Sequence, residues 1–137
     1  MVLRNSMLSE IDINKYIDII YEPINELDSK AIYINIYDYQ SEEYHISSNV
    51  INLYFNSSYE SSEHLFNKSL RIILIDFIRK HFQVEKIYIY SKNKSKSIAI
   101  AIGVAKYLKN YSYARELCLN TLYNPDSMVL YEFNKIQ

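Results

Sequence analysis

Lysine and serine alternate through one short stretch of this 137-residue chain: Ser91, Lys92, Asn93, Lys94, Ser95, Lys96 and Ser97. Three cations and three hydroxyls within seven residues offer one chemistry above others, the capture of an anion. Ile87-Tyr88-Ile89-Tyr90 precedes the stretch and reads as a strand covered on both faces. An apolar run with helical spacing follows it. A loop between such elements aims several backbone N–H groups at a helix N-terminus, where negative charge is stabilised. Residues 91–97 are therefore a candidate phosphate-binding loop. A nucleotide-binding loop of the Gly-rich kind needs glycines around its Lys-Ser pair. Lys94-Ser95 and Lys96-Ser97 have none beside them, since Gly103 is the chain's one glycine. A basic strand-to-helix connection with no ligand is the plainer alternative.

The elements that must hold this loop can be read from periodicity. Residues 16–21, 31–37, 49–54 and 86–90 are rich in Ile, Val and Tyr and predict strands. Residues 61–81 carry Leu65, Phe66, Leu70, Ile73, Leu74, Phe77 and Ile78 at helical spacing, with Ser61 or Ser62 as cap. Residues 96–109, 112–123 and 125–135 predict three further helices, the last with Pro125 near its first turn. Strands alternating with helices imply an α/β fold. The expectation is a single domain over residues 1–137, with a central, twisted, mostly parallel sheet of four to five strands flanked by helices on both sides.

Composition narrows the function classes. Residues 1–65 hold eleven acids and three bases, a net of −8, whereas residues 66–110 hold two acids and ten bases, a net of +8. A basic middle attracts phosphate or an acidic partner, or simply solvates helix faces. Tyrosine is abundant, at 15 residues, but basic-aromatic alternation accompanies few of them, which argues against nucleic acid. His45, His64 and His81 are scattered without ligand spacing, and Glu42-Glu43 reads as a solvated turn, so neither metal nor cofactor is expected. Cys118, the one cysteine, lies between Leu117 and Leu119 and is expected to be a packed core thiol. No apolar run approaches the roughly 20 residues of a membrane span, and residues 1–9 lack a secretory pattern. An intracellular, cytoplasmic protein off the membrane is the expectation.

The order of motifs around the loop resembles the dual-specificity protein phosphatases. That family's signature is His-Cys, five residues, Arg and Ser/Thr, on the same strand-loop-helix frame. Here Ile102-Gly103 lies in the following helix, as an Ile-Gly pair often does there. Ala114-Arg115-Glu116-Leu117, Tyr123-Asn124-Pro125-Asp126 and Leu130-Tyr131-Glu132-Phe133 match the family's later helices and turn. Val50-Ile51-Asn52-Leu53 and Phe66 match its upstream strand and helix. The resemblance covers residues 31–135; residues 1–30 match poorly. Small size and AT-rich residue usage are similar to the compact poxvirus members, which implies a viral protein with a host-directed role.

The resemblance also locates what is missing. Setting Lys96-Ser97 against the signature's Arg-Ser puts Tyr90 at the cysteine position, or Ser91 if the loop is one residue shorter. Neither supplies the low-pKa thiolate that attacks phosphorus in the family. Lys96 lacks the planar fork of arginine. Asn93, or Lys94 in the shifted register, replaces the loop glycine, and Asn is the better tolerated at positive φ. Asn56 stands where the family keeps its general-acid aspartate, and an amide donates no proton in that way. With nucleophile, arginine and acid all changed, the resemblance implies an inactive phosphatase-like protein. Its role would be to bind a protein partner, phosphorylated or not, or to compete with active phosphatases. A residual phosphatase and a pure assembly protein are the alternatives, and homodimerisation suits a domain of this size.

Overall fold

The computed structural model describes residues 17–38, 47–55, 66–119 and 124–135. Four strands, β1 (Ile17–Ile20), β2 (Ala31–Tyr37), β3 (Val50–Tyr54) and β4 (Lys86–Ser91), form one sheet in the order β1-β4-β2-β3. Every pairing is parallel. Four helices accompany it: α1 (Lys68–Lys80), α2 (Lys94–Tyr107), α3 (Tyr111–Leu119) and α4 (Ser127–Phe133). The α/β class and parallel sheet agree with the periodicity. The parallel order makes β4 central, so the loop leaving it opens at the carboxyl edge of the sheet.

Alternation along the strands gives the sheet two unlike faces. Pairing Ile32 with Ile87, Ile34 with Ile89, and Ile36 with Leu53 lines up one aliphatic face. The other face joins Tyr33 to Tyr88 in a stack with ring centres 5.1 Å apart, and Tyr37 to Tyr54 at 5.7 Å. Between these stacks the Asn35 amide donates to Asn52 at 3.4 Å. The buried core draws on the aliphatic face together with α1, α2, α3 and α4. All four described helices thus contribute to this one core.

Helix α2 explains how that core closes. Residues 96–105 are all buried, because α2 packs against β4 and β1 on one side and α3 and α4 on others. At Gly103 the α4 ring of Phe133 lies so close that a Cβ would overlap it. Phe133 stacks on Phe66 at 5.7 Å, and Phe66 meets Phe55 edge-on at 5.1 Å. Gly103 is therefore a close-approach glycine, which its place in the Ile102-Gly103 motif did not reveal.

Several boundaries differ from the periodicity for identifiable reasons. Helix α1 starts at Lys68, not at residue 61, because Asn67 is the cap and its side chain accepts from Leu70 N–H at 3.0 Å. Ser61 and Ser62 lie outside the described residues. Pro125 sits before the cap of α4 rather than in its first turn; Asp126 is the cap, accepting from Met128 and Val129 N–H. Helix α2 begins two residues early, at Lys94, capped by Asn93. Cys118 is exposed, not packed. The nine-residue α3 buries Ala114 and half-buries Tyr113 and Leu117, and Cys118 falls outside that narrow stripe.

Helix α2 ends with Lys109 at φ 65, the one positive-φ non-glycine residue described. Asn110 N–H donates to Ala105 O at 2.8 Å and Lys109 N–H to Lys106 O at 3.0 Å. This is the crossed pair of bonds that usually recruits glycine at the left-handed position. Urea unfolding is expected to separate the two backbone constraints. Gly103→Ala should lower stability by about 1–3 kcal/mol through overpacking, whereas Lys109→Gly should raise it by about 1 kcal/mol by relieving the left-handed strain.

Candidate functional site

Strand β4 ends in Ser91, which is buried, and its hydroxyl accepts the Asn93 N–H at 2.9 Å. Asn93 has φ −96 and ψ 107, the extended backbone of a cap rather than the positive φ of the glycine it would replace. Its side-chain oxygen accepts from Ser95 N–H at 3.0 Å and Lys96 N–H at 3.4 Å. Its carbonyl takes Lys96 N–H at 3.1 Å and Ser97 N–H at 3.2 Å. An Asx cap of this kind satisfies the donors that a helix start leaves over. Four of the amides expected to receive an anion, those of residues 93, 95, 96 and 97, thus have partners from the loop itself.

The lysines separate by environment. Lys92 is exposed, and the Lys94 ammonium stands 4.7 Å over the Tyr21 ring. Lys96 is the opposite case, with a side chain only 1% exposed. Its ammonium donates to the carboxylate of Asp38, just past the end of β2, and to the Phe55 carbonyl, just past β3, at 2.6 Å. It also lies 5.1 Å from the centre of the Phe55 ring. Lys96 therefore reaches across the carboxyl edge of the sheet and binds an internal anion. Sequence reasoning singled out the cation and missed Asp38, since the two are 58 positions apart. The available signal was an acid directly following a predicted strand.

Of the two residues that the alternative loop lengths put forward, Ser91 turns its hydroxyl into the loop. Tyr90 belongs to the tyrosine face, where it is buried and packs edge-on against Tyr37, ring centres 6.1 Å apart. Burial pushes its hydroxyl above the usual tyrosine range. Tyr37 is raised too, by burial first and then by the neighbouring Tyr90 and Tyr54. A phenol so placed is a poor nucleophile at neutral pH. Ser97 donates to the Lys94 carbonyl at 3.2 Å within the first helical turn. Asn56, His45, His64 and Glu42-Glu43 lie outside the described residues.

The remaining chemistry is sparse. Among the described residues no cluster of three or more His, Cys, Asp or Glu side chains could hold a metal ion. His81 closes α1 with its Nδ1 against the Phe77 carbonyl at 2.9 Å. No described helix is long and apolar enough to cross a membrane. No protein-family model, curated protein or solved structure matches the chain. The phosphatase resemblance consequently rests on motif order, and the fold on its own geometry.

Two measurements probe this arrangement. Asp38→Asn leaves a buried ammonium without its counter-charge; because Asp38 is 42% exposed, the cost should be about 1–3 kcal/mol, less than for a fully buried pair. In a double-mutant cycle read by urea unfolding, Lys96→Met should remove most of the Asp38→Asn penalty. The tyrosines set a second expectation. Their raised values mean the folded state holds them protonated beyond the pH at which the unfolded chain ionises. The stability they contribute is full below about pH 10 and is lost as pH rises through the raised values. Tyrosinate absorbance should show a late-titrating component that returns to the ordinary range on unfolding.

Proposed function

We propose that this chain is a catalytically inactive, dual-specificity-phosphatase-like domain that acts by binding another protein. The observation that carries the reading is the engagement of Lys96. Phosphoryl transfer needs a cation free to follow the charge that develops in the transition state, and this ammonium is sealed between Asp38 and the Phe55 carbonyl. Of the loop hydroxyls, Ser91 accepts the Asn93 N–H and Ser97 donates to the Lys94 carbonyl, and a serine not paired with a base is a weak nucleophile. The self-capped loop speaks for a role as a structural connection. A phosphorylated partner would meet its rim, where Lys92 is exposed, rather than a cradle of open amides.

Hydrolysis of an aryl phosphate at high protein concentration tests the reading. The expected result is no turnover above buffer, unchanged in Ser91→Ala and Lys96→Met. Turnover that disappears in either variant would overturn the inactive assignment. A titration with inorganic phosphate followed by amide NMR adds the binding side: shifts at residues 92 and 94 without shifts at 93, 95 and 96 are expected, and a concerted shift of the whole loop would restore the cradle.

A further inference from the structure

The last turns of α2 and the end of α4 border a hollow of about 300 Å³, on residues with no part in the proposed function. That volume is at the low end for small-ligand sites. Of the residues lining it, Gly103 and Phe133 are buried, Tyr107 is half-buried, and Lys106, Lys109 and Tyr111 are exposed. Three aromatic rings and two ammonium groups thus share one concave surface, and among the described residues no acid lines it. Neither Lys106 nor Lys109 has an ion-pair partner among the described residues.

The end of α2 does not by itself account for these lysines. A cation is favoured at a helix C-terminus, but the Val104, Ala105 and Lys106 carbonyls already accept the N–H groups of Leu108, Asn110 and Lys109 at 2.9, 2.8 and 3.0 Å. The backbone closes the helix without an ammonium cap. Lys109 also takes φ 65, the left-handed position that glycine fills without strain. What lysine adds there is a charged side chain beside the hollow. An ammonium binds an anion as a point charge, with no planar fork to align, and aromatic rings receive a flat apolar body. A phosphate monoester carries close to two negative charges at neutral pH, which matches two lysines better than a carboxylate does. We propose that this hollow binds a phosphate carried on an aromatic ring, with Lys106 and Lys109 on the charge and Tyr107, Tyr111 and Phe133 around the ring. The site lies at the opposite end of α2 from residues 91–97, so it is independent of whether the loop is catalytically inactive.

Amide NMR of the full chain, titrated with phenyl phosphate, tests it. Saturable shifts are expected at residues 103–111 and 133–134, and none at residues 91–97. Inorganic phosphate, which lacks the ring, and phenol, which lacks the charge, should each bind more weakly by about tenfold or more. Lys106→Gln and Lys109→Gln should each weaken phenyl phosphate about tenfold. Lys109→Gly should lose the ligand while gaining stability, a combination that a lysine serving only the helix end would not give. A phosphotyrosine peptide separates the two sources of this chemistry. Tighter binding than phenyl phosphate at the same residues assigns the ring to a protein partner, and weaker binding assigns it to a free small molecule. Absence of shifts at millimolar phenyl phosphate would sink the proposal, as would equal binding of inorganic phosphate or indifference to both lysine substitutions.

Discussion

A buried ammonium is costly to keep away from water, and the carboxyl edge of this sheet is arranged around one. Lys96 leaves the first turn of α2, and its side chain is almost fully enclosed. Two acceptors from different strands take its charge: the Asp38 carboxylate beyond β2 and the Phe55 carbonyl beyond β3. Desolvating the cation is tolerable only with such partners. The consequence is a three-way tie among α2, β2 and β3, at the edge where parallel sheets usually receive ligands. Phe55 doubles the tie, because its ring packs on Phe66, which packs on Phe133 of α4.

Charge and packing converge on α2 for a further reason. Every residue from 96 to 105 is buried, so the helix has no solvent face over that span. It therefore behaves as a core element, with the sheet on one side and α3 and α4 on others. Gly103 is the place where this crowding is most acute. The bond from Asp126 N–H to the Ser95 carbonyl, 3.0 Å, fastens the start of α4 to the first turn of α2. Loop, helix and last helix are thus joined to one another by hydrogen bonds and close packing.

A chain with one glycine must end and start its helices by other means. It starts them with Asx side chains: Asn67, Asn93, Asn110 and Asp126 each accept an N–H from their own helix. Such side chains offer the backbone a local acceptor and so favour caps over helix interiors. It ends α2 with Lys109 in a left-handed conformation, a strain that glycine would avoid. The same caps that define the helices close the loop, because the Asn93 oxygen occupies amides that an anion would otherwise use.

Sequence periodicity was sufficient for the four strands, the four helices and the α/β class, since Ile, Val and Tyr alternation and helical spacing are local properties. It also located the strand-loop-helix segment and its basic residues. Local pattern could not say which strands are neighbours, and neighbourhood decides the rest. Parallel pairing puts Ile against Ile and Tyr against Tyr, which makes two dissimilar faces out of strands that each looked uniformly apolar. It brings Asp38 to Lys96 across 58 positions, turning a presumed anion-binding cation into one end of an internal ion pair. It leaves Cys118 exposed on a helix whose buried stripe is one residue too narrow to cover it. A residue's type limits the interactions it can make; which of them it makes depends on the neighbours that long-range pairing brings within reach.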